Sequence, residues 1–345
     1  MKSRIKIALL MSQIILAIPL IVGCANLQGS SPEAGQPSGA TLPPAAALTP
    51  GVTSPSDPTQ APIEDFSGER ALQDVVTQVE FGLRTPGSIA HTRTVDWIKT
   101  TLEPEGWQVE IQESEYMGQT VRNILARTGS GEPVLLLGAH YDTRIYADQD
   151  PDPANHTKPV PGANDGASGV AVLLELGRVL PERLAQLEDH QGQIWLAFFD
   201  AEDNGRIAGW DWIMGSRAFV EQMTIKPEAA VIVDMIGDAD LNAYIEENSD
   251  IELRDQIWRV AYGLGYGEQF IYEIKYSMTD DHTPFLEAGI PAVDIIDFDY
   301  PYWHTVADTP DKVSAASLQA VGHTLVTWIE LRSELDGQPT PPSTP

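Results

Sequence analysis

The chain has 345 residues, with 21 Lys and Arg set against 50 Asp and Glu and a net charge of −29. Hydrophobic residues at 42% and charged residues at 21% describe a folded globular protein, not a disordered or fibrous one. The acidic balance argues against nucleic acid as a partner, because affinity for a phosphate backbone comes largely from Lys and Arg. Cys24 is the single cysteine, which excludes an intrachain disulfide and a thiolate metal cluster. Any metal must rest on His, Asp and Glu.

The first residues read as an address. Lys2, Arg4 and Lys6 precede a mostly apolar run from Ile7 to Val22. As a helix this run reaches about 24 Å at about 1.5 Å per residue, short for a bilayer span and normal for a secretory signal. Ile21-Val22-Gly23-Cys24 resembles the lipobox of bacterial lipoproteins, which predicts a signal peptide over residues 1–23 and lipidation of Cys24. The expected location is therefore the bacterial cell envelope, outside the cytoplasm, with the membrane reached through the lipid anchor only. Residues 24–62 are rich in Pro, Ser, Thr and Ala, with Glu33 and Asp57 as their only charges, and read as a tether. Residues 63–336 form the expected catalytic domain, and residues 337–345 a Pro-rich tail.

Within the domain, helices are expected over Gly68–Gly82 and Ile89–Leu102, then strands over Trp107–Glu115, Val121–Thr128 and Val134–Tyr141. A helix follows from Ser168 to about Leu180. Further strands are expected at Ile194–Phe199, Ala229–Met235, Gln269–Tyr276 and Ile290–Ile296, with helices at Ile251–Gly263 and Ala315–Ser333. Apolar runs interleaved with helices predict a single α/β domain around a largely parallel, mixed sheet covered on both faces.

The chemistry-bearing residues follow the strands. His140-Tyr141-Asp142 closes one apolar run, and positions i and i+2 of an extended segment share a face, so Asp142 can hold the ring of His140. Gly162-Ala163-Asn164-Asp165-Gly166-Ala167-Ser168-Gly169 opens a helix; here Asp165 is either a functional carboxylate or a helix cap. Ile194–Phe199 runs into Asp200-Ala201-Glu202-Asp203, Asp234 follows another strand, and His304 lies in the loop Tyr300–Thr305. Carboxyl ends of strands line the ligand crevice of open α/β sheets. Two His and three or four carboxylates gathered there suit a borderline divalent ion, zinc above all.

GAHYDT, GANDGASG, FFDAED, VDMIG and YWHT, in this order, resemble the zinc-dependent exopeptidase family of aminopeptidases and glutaminyl-peptide cyclotransferases. The resemblance covers about Gly68 to Ser333. It implies a two-metal pattern in which His140 and Asp234 bind one ion, Asp203 and His304 the other, Asp165 bridges, and Glu202 is the general base. Asp203 stands where the family more often has Glu, and Ala201 where it more often has Gly. In the cyclase variant one zinc on Asp165, Asp203 and His304 is expected, with His140 and Asp234 as a second site.

Thr279-Asp280-Asp281-His282 tips the balance between the two chemistries. Aminopeptidases of the family typically carry Ser before Asp-His, whereas cyclases carry Asp-Asp-His, so Asp280 matches the cyclase position for a catalytic hydrogen-bonding acid. Trp303 beside His304 resembles the cyclase pocket wall, and the long segment Tyr141–Gly166 resembles bacterial cyclases. Trp210 and Trp212 are candidates for a further wall, with ordinary packing as the alternative. The expected activity is conversion of N-terminal Gln of peptides or proteins to pyroglutamate with release of ammonia; the alternative is a two-zinc aminopeptidase. His91, His190 and His323 read as structural or exposed, while His156 and His282 could border the pocket.

Overall fold

A computed structural model describes residues 65–187 and 192–336. The expected signal peptide, Cys24, the tether, His190 and the tail lie outside the described residues. Eight strands and seven α-helices are seen among those described. Helices α1 (Gly68–Glu80) and α2 (Ile89–Leu102) start at Ser67 and Ser88, whose hydroxyls accept from the backbone N–H three residues on. Strands β1 (Gln108–Tyr116), β2 (Gln119–Ser130) and β3 (Pro133–His140) follow, then helix α3 (Ala167–Gln186) and strand β4 (Gly192–Phe199). Next come α4 (Met214–Gln222), β5 (Ala230–Asp234), β6 (Ala243–Glu246) and α5 (Ile251–Gly263). The chain ends with β7 (Phe270–Tyr276), α6 (Thr283–Glu287), β8 (Ala292–Ile296) and α7 (Ala315–Asp336).

The main sheet has the order β1-β2-β4-β3-β5-β8. The ladders β3–β4, β3–β5 and β5–β8 are parallel, while β1–β2 and β2–β4 are antiparallel. The strands alternate strictly between two cores. Leu135, Leu137, Leu196, Phe198, Val231 and Val233 face the layer that holds α1, α3 and α7. Leu136, Trp195, Ala197, Phe199, Ala230 and Ile232 face Phe219 of α4 and Phe285 of α6. Period-two alternation with both faces apolar gives the nearly continuous hydrophobic runs seen in the sequence. A separate pair, β6–β7, is also parallel.

Three differences from expectation have local causes. Helix α3 runs past Pro181 to Gln186, because Leu184 is buried in the core and Arg183 pairs with Glu330 at 2.8 Å. Helix α4 and strand β6 are short, and α4 starts from a left-handed Ile213 that no periodicity announces. Helix α6 is a five-residue turn directly after the Asp-Asp-His segment. Glycines matter where helix meets sheet: a Cβ on Gly169 of α3 would lie 2.5 Å from the carbonyl oxygen of Val233. This contact brings the start of α3 down onto the ends of β3 and β5.

Candidate active site

The order β4-β3-β5 sets the site. Gly138 pairs with Ile232, so two residues further His140 stands beside Asp234, each at the end of its strand. His140 Nε2 lies 3.2 Å from Asp234 Oδ1 and 3.2 Å from Asp165 Oδ1. On the other side of the ring, Nδ1 is 3.5 Å from Asp142 Oδ1, as the shared face of i and i+2 requires. Asp142 also accepts from Glu202 N–H and from the Asn204 amide, both at 3.0 Å, so one buried carboxylate links the ends of β3 and β4.

Asp165 is not a helix cap. Gly166 takes that position, at φ +80°, where a Cβ would press within 2.7 Å of His140. The loop is clamped from three sides. Buried Asp308 accepts from the backbone N–H of Asn164 at 2.8 Å and of Asp165 at 3.2 Å, and it also accepts from the Tyr300 hydroxyl. Asn164 accepts from Gly237 N–H and donates to Met235 O, which fixes the loop to the segment after Asp234. Arg84, wholly buried, donates to the carbonyls of Tyr141, Pro161 and Gly162. The Asp165 carboxylate is thereby left free to lie between the two histidines.

At the end of β4 the chain turns through Ala201 at φ +52°. His91 of α2 holds the preceding Asp200 at 2.7 Å, and the other Asp200 oxygen accepts from Arg122 N–H. Asp203 Oδ1 then meets His304 Nε2 at 2.7 Å, and Asp165 Oδ2 lies 3.7 Å from the same nitrogen. His304, at φ +54°, sits between two indoles: Trp303 at 3.7 Å and Trp212 at 6.0 Å between ring centroids. Its Nδ1 faces Asp148 at 3.6 Å, and Asp148 is held by Arg144, which also donates to the carbonyls of Asp203 and Gly205. The long segment after β3 thus supports the His304 loop from below.

A pocket of about 390 Å³ opens over these groups, and its walls include Asp165, Glu202, Asp203, Asp234, Asp280, Trp212 and Trp303. So many acids in a dry place cannot all ionise. Burial, with repulsion from Asp203, Asp280 and Asp281, lifts the Glu202 carboxyl well above its ordinary range, partly opposed by His140. Burial pushes Asp234 up to about 7 and Asp203 up to about 6, against the pull of His140 and His304 respectively. Asp165 alone goes down: burial opposes its charge, but the hydrogen bond and charge of His140 and the charge of His304 outweigh it. Burial opposes charge on His304 too, yet Asp203 and Asp148 hold it up at about 9.

The structure brings together Glu202, Asp280, Asp165, Asp203, His304, His140, Asp234 and Trp303. It does not bring Trp210. That ring packs against the small cluster of Val121, Ala201, Met214 and Ala218, and Trp212 lines the pocket in its place. The reason is the bridge between Asp203 and Trp212, which turns the second indole inward over Gly205. His91 has a buried acidic partner that its helical context did not announce. His282 is fully buried, with Glu246 at 3.3 Å and Asp294 at 3.6 Å, and His156 contacts the Asp150 carbonyl, so neither borders the pocket. His323 pairs with the Tyr266 hydroxyl. Sequence reasoning assigned no role to Arg144, Asp148, Asp308 and Asn164, which act from loops; Asn164, inside GANDGASG, and Arg144 and Asp148, inside Tyr141–Gly166, lay in segments already singled out, and Asp308 did not.

Two sets of ligand atoms are close enough to share an ion: His140, Asp165 and Asp234, and Asp165, Asp203 and His304. All five side chains are buried, and Asp165 Oδ2 and Asp203 Oδ2 lack any hydrogen-bond donor. Buried carboxylate oxygens without donors, beside carboxyls that retain protons, mark a cluster short of positive charge. A divalent cation fits that deficit.

Solved structures of known proteins share this fold. A solved glutaminyl cyclase from Porphyromonas gingivalis is 35% identical, with a TM-score of 0.72 over 77% of this chain and 99% of that one. A leucine aminopeptidase precursor from Bacteroides thetaiotaomicron is 31% identical, with a TM-score of 0.72 over 78% of this chain and 98% of that one. Glutaminyl-peptide cyclotransferase from Gloydius blomhoffii is 25% identical over 288 residues, 71% of this chain and 76% of the relative. The model of peptidase family M28 matches residues 123–329, which span β2 to α7 and contain every pocket carboxylate and both histidines, and the chain belongs to that family.

Proposed function

We propose that this protein is a zinc-dependent glutaminyl cyclase acting on peptides with N-terminal Gln. The observation that carries the reading is Asp280: buried, it forms one wall of the pocket that Glu202 and the Asp165–Asp203–His304 set also line. The likeness to solved bacterial glutaminyl cyclases supports it. Zinc on Asp165, Asp203 and His304 would polarise the side-chain amide of the substrate. Glu202 accepts a proton from the α-amine as that nitrogen bonds to the amide carbon, and returns it to the departing ammonia. A carboxyl lifted well above its ordinary range suits a group that must hold and release a proton near neutrality. Asp234, raised to about 7, shares protons with this acid group, and Trp212 and Trp303 wall the pocket around the amide.

The second reading, a two-zinc aminopeptidase, has its own observation: His140, Asp165 and Asp234 form a complete second ligand set. A second ion there would pin Asp234 and remove it from proton sharing. Lipid tethering at Cys24 outside the cytoplasm belongs to the proposal as well. Among the described residues no helix is long and apolar enough to cross a membrane, so a hold on the bilayer would come from the leader or its lipid.

Four outcomes are expected. A Gln-initiated peptide releases ammonia and a pyroglutamyl product by mass spectrometry; free amino acid from Leu-initiated peptides with no cyclised product would establish the aminopeptidase. Glu202→Gln loses at least about 100-fold in kcat, the usual scale for a general acid–base group, and keeps its metal on elemental analysis. Near-normal turnover would remove Glu202 as the base. His304→Ala loses zinc, and unchanged metal content would refute the ligand set. Cys24→Ser moves the protein from the membrane to the soluble fraction on cell fractionation, and continued membrane retention would contradict the lipid anchor.

A further inference from the structure

Among the described residues lining the pocket, Arg206 is the single cation, against five carboxylates. It is exposed, and no carboxylate among the described residues pairs with it. The exposed Arg93 and Arg259 are likewise without a carboxylate partner among the described residues, whereas the half-buried Arg122, Arg127 and Arg217 each meet a glutamate at 2.6–2.8 Å; what sets Arg206 apart is its place in the pocket wall. The backbone beneath Arg206 is fixed. Gly205 lies so close under the Trp212 indole that a Cβ would come within 2.1 Å of the ring, and Arg144 donates to the carbonyls on either side of Asn204. Arg206 itself takes φ +63°, and Ile207 N–H closes a turn onto Asn204 O. A free guanidinium is therefore presented from a rigid turn, three residues after a proposed zinc ligand.

We propose that Arg206 is a specificity-determining residue that receives a carboxylate from the part of the substrate following the N-terminal Gln, so that acidic residues there are favoured. The inference rests on the cyclase reading above. With the terminal amine among the acids of the pocket floor, the rest of the peptide must leave past the mouth, where a carboxylate would otherwise meet only negative charge. The planar guanidinium, which presents paired donors, matches that group. The carboxylate can belong to a side chain or to the C-terminus of a dipeptide.

The test compares kcat/KM for Gln-Glu-Ala-amide with Gln-Gln-Ala-amide, and for Gln-Ala free acid with Gln-Ala-amide. Wild type, Arg206→Gln and Arg206→Glu are assayed at low and high salt. The acidic-to-neutral ratio is expected to fall about three- to fivefold in Arg206→Gln, the scale of an exposed ion pair, and further in Arg206→Glu. The loss should appear in KM and shrink as salt rises. A response confined to the first pair assigns a side-chain carboxylate, and one confined to the second assigns the terminal carboxylate. Ratios unchanged across all three proteins would overturn the inference, including where a variant loses activity equally on every peptide. If wild type forms no pyroglutamyl product from the neutral peptides, the cyclase reading itself has failed; normal cyclisation with unchanged ratios sinks only the role of Arg206.

Discussion

The structure depends on one carboxylate whose charge burial opposes and two imidazoles sustain. Asp165 lies buried within reach of His140 on one side and His304 on the other, with Asp203 and Asp234 close behind. Bringing these negative groups together without water is unfavourable, and it is tolerated only because imidazoles and protons, or a bound cation, offset the charge. Burial, with this crowding, raises Glu202 well above its ordinary range and brings Asp203 to about 6 and Asp234 to about 7. In the proposed reaction, binding a cation and shuttling a proton would have a single electrostatic origin.

Holding such a cluster falls to groups outside the pocket lining. Asp308 and Asn164 clamp the backbone around Asp165, Arg84 gathers three carbonyls behind it, and Asp142 joins the His140 strand to the Glu202 turn. Arg144 performs the parallel task for Asp203 and, through Asp148, for His304. These partners orient the ligating groups more than they add net stability, in the way that outer contacts tune metal sites. Their cost is visible in Arg84, whose guanidinium burial pulls down to about 10 although Asp308, Asp142 and Asp165 pull the other way.

Most of the fold was legible because its strands carry both apolar faces and its helices carry cap signals. The extended runs at 134–141, 194–199 and 229–235 became β3, β4 and β5, and their acidic or histidine ends became the pocket. What stayed hidden depended on loops. Nothing in the spacing of Asp148 or Asp308 told that one would prop His304 and the other the Asp165 loop, since both contacts bridge segments distant in the chain. The choice between Trp210 and Trp212 turned on a two-residue bridge, and that between a cap and a functional Asp165 on a glycine that took the cap position instead.

Side-chain alternation alone would have made this site impossible. In an extended strand Glu202 and Asp203 point to opposite faces, yet both line the same pocket. The chain leaves the strand direction at Ala201, in the left-handed region, and the end of β5 turns in the same way at Met235, directly after Asp234. His304 adopts that conformation itself. Each such residue costs about 1–2 kcal/mol relative to ordinary backbone. The cost is sustained by the buried His91–Asp200 pair on one side of Ala201 and by the Asp142 bond to Glu202 N–H on the other. The short arm of Asp203 is accommodated by the same turn, which carries its backbone far enough toward His304 for the 2.7 Å contact to form.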